Sequence, residues 1–272
     1  MQKKIKLLIV MLSITTGLYA QSSQFTTSVS LVGMSMDYKE YDDGGTLLDS
    51  EKSGFTDIAG VEMNIGYLFD KEASAYNQVG INFMVLHGTT DYKGSLWNSG
   101  LGYGSHVDTT LNTIIDMDIS YKRGYKVLNS LELNYGLGLG YRYWERSLSA
   151  SQIETYTWYS LRPMVGAKYF VNDELNIGLS LEYQYGINPT MHESTFDYDF
   201  KLGHADIIEV SLPITYKYNE RMDMFIEATF QQQIIEKSNT IQRAIGVDTY
   251  DIFEPDSTAN NQYLKLGMAF KF

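Results

Sequence analysis

The sequence predicts an all-β chain, a transmembrane up-and-down antiparallel β-barrel of about ten strands. Three observations predict it. In residues 262–272, Leu264, Leu266, Met268, Phe270 and Phe272 share one face, and Tyr263, Lys265, Gly267, Ala269 and Lys271 share the other. A soluble sheet seldom leaves so apolar a strand at an edge, whereas in a closed barrel that strand pairs with the first and no edge remains. Segments of the same period-two pattern recur along the chain, and their connections alternate long and short, as in bacterial barrels with external loops and periplasmic turns. Outward aromatics gather at two heights, as a bilayer's two interfaces favour: Tyr67, Phe69, Tyr121, Tyr169, Tyr216 and Tyr218 at one, and Tyr141, Tyr143, Tyr159, Tyr183 and Tyr185 at the other.

The first residues have a different character. Lys3, Lys4 and Lys6 precede an apolar run over 7–18, and Leu18-Tyr19-Ala20 leads into a polar stretch. This is the pattern of a cleaved secretory signal peptide over 1–20, leaving a barrel domain over 21–272. The apolar run is shorter than the ~20 residues of a membrane helix. Cleavage removes three lysines and no acid, taking the net charge from −12 to −15. So acidic a chain argues against a nucleic-acid partner. The absence of cysteine excludes disulfides, thiolate metal sites and a cysteine nucleophile.

Strand one runs over about 25–38. Val29 and Leu31 suggest one facing and Val32, Met34 and Met36 the other, which a bulge near Gly33 reconciles. A polar loop over 39–53 follows. Strand two (57–69) turns Val61, Met63, Ile65 and Tyr67 outward and Glu62 and Asn64 inward, and a short turn joins it to strand three, with Val79, Ile81, Phe83 and Val85 outward. After a long loop over 87–106, strand four sets Ile115, Met117 and Ile119 against Asp116 and Asp118. In strand five, Leu131 to Tyr143 alternate with Glu132, Asn134, Gly136, Gly138, Gly140, Arg142 and Trp144. Strand six follows a loop near 147–154 and sets Leu161, Val165 and Tyr169 against Arg162 and Lys168. Strand seven sets Leu179, Leu181 and Tyr183 against Ser180, Glu182 and Gln184. A loop over 188–204 precedes strand eight, with Val210 and Leu212 opposed to Glu209 and Ser211. Strand nine has Ile226 and Phe230 outward and Glu227 and Gln231 inward, and a loop over 236–259 leads to the closing strand.

The inward face carries Glu132, Arg142, Arg162, Lys168, Glu182 and Glu209, a charge density that the core of a soluble sandwich does not accept. In a narrow barrel these groups form a network of ion pairs and water, because an unpaired charge in a confined space is expensive. Barrels of few strands are filled by side chains, and open pores come nearer sixteen. Gly136, Gly138 and Gly140 mark room for large neighbours rather than a dinucleotide loop, since no helix follows them. The histidines border two loops: His87 and His106 the second, His192 and His204 the fourth. Beside acids, histidine serves as a general base or a metal ligand.

Ten strands, five long external loops and an aromatic end resemble the omptin family of outer-membrane proteases. Locally, 106–119 resembles the omptin segment entering strand four, and Tyr135-Gly136-Leu137-Gly138-Leu139-Gly140-Tyr141 is similar to that family's fifth strand. The omptin site has an Asp pair in the second loop and an Asp-His couple in the fourth. This chain has Asp91 without a closely spaced second Asp, and Met191-His192-Glu193-Ser194 without the acid just before the histidine. The resemblance therefore implies Asp91 and His192 as the positional catalytic candidates of a rearranged site. Phe272 resembles the assembly signal of outer-membrane barrels.

The leading expectation is a non-enzymatic protein of the outer membrane of a Gram-negative-type cell, with a narrow or plugged lumen. An omptin-like protease and a small porin are the alternatives. The expected partners are outer-membrane lipid and the barrel assembly machinery; no cofactor or metal is implied, and no external ligand is named.

Overall fold

The computed structural model describes residues 24–70, 72, 74–95, 101–245 and 248–272; the expected signal peptide lies outside the described residues. Ten strands build the wall: β1 (Phe25–Tyr41), β3 (Ile58–Phe69), β4 (Ala75–Gly94), β5 (His106–Leu128), β6 (Leu131–Ser147), β7 (Ile153–Phe170), β8 (Leu175–Glu193), β10 (Ala205–Lys217), β11 (Met222–Ile235) and β14 (Asp256–Lys271). Four shorter strands, β2 (Leu47–Lys52), β9 (Tyr198–Lys201), β12 (Ile241–Ile245) and β13 (Asp248–Ile252), lie between them in the chain. Every neighbouring pair in the wall is antiparallel. The ring closes where β1 meets β14 in one register, from Thr26 opposite Lys271 to Tyr41 opposite Asp256. Closure pairs the row of N–H and C=O groups that an open edge would expose.

The short connections lie at one end and have side-chain reasons to be tight. Asn172 Oδ1 accepts from the backbone N–H of Glu174 (2.9 Å) and Leu175 (2.7 Å), and Asn219 Oδ1 accepts from that of Arg221 at 2.8 Å. Both are Asx turns, in which the side chain takes the place of a backbone acceptor. Above that end, side chains such as Ile81, Ile119, Leu139, Leu179, Leu212 and Leu266 stay exposed on the outer face. A continuous apolar belt of this kind, edged by tyrosines, is a lipid-facing surface.

The wall strands are 12 to 23 residues long, beyond the ~9–11 needed to cross a bilayer. The surplus projects at the long-loop end, so the described residues of the expected loops over 39–53, 87–106, 188–204 and 236–259 are largely sheet. β2 pairs with the upper parts of β1 and β4, β9 pairs with β8, and β12 and β13 form a separate hairpin.

Strand one corrects one expectation. No bulge lies near Gly33: Ser30, Val32, Met34, Met36 and Tyr38 all point inward and are buried, and Val29 and Leu31 point to the outside. Its inward residues are apolar because the middle of the lumen is apolar. A bulge does occur in β8, where three residues of β7, Thr157 to Tyr159, stand against four of β8, Ile187 to Thr190. Asn188 takes a left-handed backbone, φ 51°, which asparagine tolerates better than most residues.

Candidate functional site

The lumen is layered, and each wall strand contributes to successive layers through its inward residues. On β5 these run Asp118, Asp116, Ile114, Asn112 and Thr110 from the short-turn end upward; on β6 they are Gly140, Arg142, Trp144 and Arg146.

The lower layer is a polar cavity of about 390 Å³. Asp116 is its hub. Arg162 Nη1 lies 2.7 Å from Asp116 Oδ1, and Arg142 Nη1 lies 3.3 Å from Oδ2. Across the cavity Lys265 bridges Glu62 (3.1 Å) and Glu227 (3.0 Å). The glycines of β6 make room for this network: a Cβ on Gly140 would sit 2.1 Å from Arg162 Nε, and one on Gly138 would touch Arg162 and Met164. Arg142 and Arg162 thus meet at Asp116, and Glu182 and Glu209 line the same cavity. Glu132 accepts from the Tyr76 hydroxyl at 2.6 Å, and Lys168 lies opposite it on β7, toward the short-turn end.

Above the cavity, Met34, Ile58, Leu86, Ile114, Trp144, Trp158, Met191 and Ile207, with their neighbours, form one buried cluster inside the barrel. This apolar layer fills the interior between the charged levels. Trp144 Nε1 donates to Asn112 Oδ1 at 2.9 Å, which satisfies its polar edge.

Above the apolar layer, beyond the upper tyrosines and therefore outside the bilayer, lies a buried knot around Arg146. Its guanidinium is wholly buried and donates to Glu40 (2.7 Å), Glu154 (2.7 Å), Glu51 (2.8 Å) and the hydroxyls of Tyr38 and Tyr156 (3.1 Å each). It also lies over the Tyr38 ring, 4.2 Å from the centroid. Glu254 accepts from the Tyr156 hydroxyl, and Asp49 from that of Tyr92 at 3.2 Å. Five acids therefore share one cation. Burial, then Glu40 and Glu51, push the Glu154 carboxyl up to about 7 against the pull of Arg146. Burial and neighbouring acids raise Glu254 and Asp49 in the same sense. One oxygen each of Glu40, Glu154 and Glu254 lie within 4.8 Å of one another, a donor set of metal-ligand type, but Arg146 already supplies its positive charge.

The positional catalytic candidates do not enter the lumen. Asp91 on β4 is exposed on the outer face, between the inward Thr90 and Tyr92. The β8 bulge sends Met191 and Glu193 inward and leaves His192 on the outside, where its Nδ1 lies 2.8 Å from Asp199 Oδ1 and its Nε2 3.9 Å from Asp197. The two candidates lie four strands apart round the ring, each facing away from the interior. His87 Nδ1 meets Thr113 Oγ1 at 3.0 Å, and His106 lies 3.8 Å from Asp108. Sequence reasoning missed Arg146 and its acids. Continuing the alternation of β6 past Trp144 would have turned Arg146 inward, and the same step from Tyr38 would have done so for Glu40.

No protein-family model and no curated protein matches the chain. Among solved structures, the outer membrane protease OmpT from Escherichia coli aligns with a TM-score of 0.55, over 95% of this chain and 100% of that one, at 10% identity. The transport unit of the autotransporter AIDA-I from Escherichia coli aligns at 0.45, over 94% and 92%, at 13% identity. The translocator domain of the autotransporter NalP from Neisseria meningitidis aligns at 0.44, over 96% and 92%, at 8% identity. The chain has the fold of an outer-membrane β-barrel and shares the barrel topology of OmpT.

Proposed function

We propose that this chain is a non-enzymatic integral protein of the outer membrane with a plugged lumen. In this reading a signal peptide over 1–20 directs export and the barrel assembly machinery inserts the chain, with Phe272 in its recognised segment. The short turns face the periplasm, and the extended sheet projects from the cell. The observation that carries the reading is the stack of the apolar layer beneath the Arg146 knot, which fills the interior at two successive heights. Purified barrel in planar bilayers is expected to give no conductance steps; regular steps would establish the small-porin reading instead.

One observation favours the omptin-like alternative. Asp199 on β9 approaches His192 in space and supplies the acid that the sequence lacks just before the histidine. The non-enzymatic reading expects no cleavage of dibasic peptides by the refolded protein. Cleavage that disappears in His192→Ala would replace it with a protease.

A further inference from the structure

The lower cavity contains two carboxylates that form no ion pair with its own cations. Six acids and four bases line it. Asp116 holds Arg142 and Arg162, and Lys265 holds Glu62 and Glu227. Glu182 on β8 and Glu209 on β10 stand directly opposite each other, an arrangement in which like charges repel. Among the described residues, neither forms an ion pair with Lys or Arg. Their side-chain partners are neutral: Gln184 Nε2 donates to Glu182 at 2.9 Å, and Gln231 Nε2 (2.9 Å) and the Ser211 hydroxyl (3.4 Å) donate to Glu209.

Gln184 supplies a second, independent observation. Its NH2 group donates to Glu182, and its Oε1 is buried without a protein hydrogen-bond partner. The residue is 3% exposed and lines the same cavity. A buried acceptor left unmatched is expensive, and two adjacent carboxylates in a confined space are more so. All three groups offer hard oxygen donors, and the open polar volume beside them leaves room for the water that a small divalent ion retains.

We propose that Glu182, Glu209 and the Gln184 carbonyl bind one hard divalent cation of the Ca²⁺ or Mg²⁺ type inside the lumen. Two negative charges match two positive ones, and the amide oxygen supplies a third protein ligand. The ion enters from the short-turn end, because the cavity reaches Thr26, Gln78 and Lys122 there, and the apolar layer closes it above.

The test uses full-length mature protein refolded in detergent without lipopolysaccharide and treated with chelator. Calorimetric titration with CaCl2 and with MgCl2 is expected to show one equivalent bound by at least one of them, together with a rise in the thermal midpoint. The double variant Glu182→Gln/Glu209→Gln is expected to fold, to melt above the wild type without cation because the repulsion is gone, and to lose both the binding and the cation-dependent rise. Gln184→Leu is expected to weaken binding while the barrel stays folded. Absence of binding by wild type overturns the proposal, as does binding that survives the double variant. Binding abolished by Glu154→Gln but not by the lumen pair places the ion at the mouth and also overturns it.

Discussion

Replacing Arg146 by alanine tests the upper knot most directly. The side chain is wholly buried, and its removal leaves Glu40, Glu51 and Glu154 facing one another without a cation. Breaking a buried ion pair by removing one partner costs about 3–5 kcal/mol. Loss of the contact over the Tyr38 ring adds up to about 2 kcal/mol when the cation is desolvated. These contributions overlap, so the expected loss at pH 8 is about 5 kcal/mol. Much of it should vanish at pH 5, where the stranded carboxyls take up protons and the repulsion ends. Urea unfolding of the refolded barrel in micelles, followed by tryptophan emission, measures both values. A loss below about 1 kcal/mol at pH 8, or equal losses at the two pH values, would refute the reasoning.

Three further outcomes are expected. Glu154 titrates near 7 in the folded barrel against its ordinary 4.5. Its stabilising contribution is therefore full below about 4.5 and is lost as pH rises through about 7, a change on the order of 3 kcal/mol; Glu154→Gln should flatten that part of the stability–pH curve, and an unchanged curve counts against the assignment. Gly140→Val places a side chain where the Arg162 guanidinium lies, so Arg162 must leave Asp116; overpacking of this kind costs about 1–3 kcal/mol, readable as a lower thermal midpoint. Leu179→Arg puts a charge on the lipid-facing belt and should destabilise the barrel in vesicles by about 2–4 kcal/mol; a neutral effect would argue against a bilayer at that height.

The wall was legible in the sequence because lipid and lumen impose opposite demands on alternate residues. Leu131 to Trp144 on β6 and Tyr263 to Lys271 on β14 could be assigned to their faces from that alternation alone. Strand one was harder to read, since Val32, Met34 and Met36 obey a local apolar layer that the alternation does not encode. The knot was missed for a related reason. Glu40, Glu51, Glu154 and Glu254 lie in stretches rich in polar residues, where a solvated loop and a buried charge cluster have the same composition. Their meeting depends on β1, β2, β6 and β7 continuing above the membrane, and strand length past the interface leaves no hydrophobic mark. The positions of Asp91 and His192 were legible as sequence, but their directions were not. A one-residue bulge decides the facing of His192, and period-two reasoning carried across it points the side chain the wrong way.

That bulge also makes the top of β8 a place where backbone register, more than side-chain identity, sets the chemistry. Below Asn188 the odd-numbered residues Tyr183, Tyr185 and Ile187 meet the outside; above it the odd-numbered Met191 and Glu193 meet the interior. Deleting Asn188 would remove the bulge and leave each residue above it facing as it does now, whereas straightening the strand with every residue kept would restore the lower parity along the rest of it. Met191 and Glu193 would then go to the outer surface, and the His192 imidazole would be carried into the interior layers. The one extra residue thus settles what the protein shows to its surroundings and what it keeps inside, while every amino acid above the bulge stays the same.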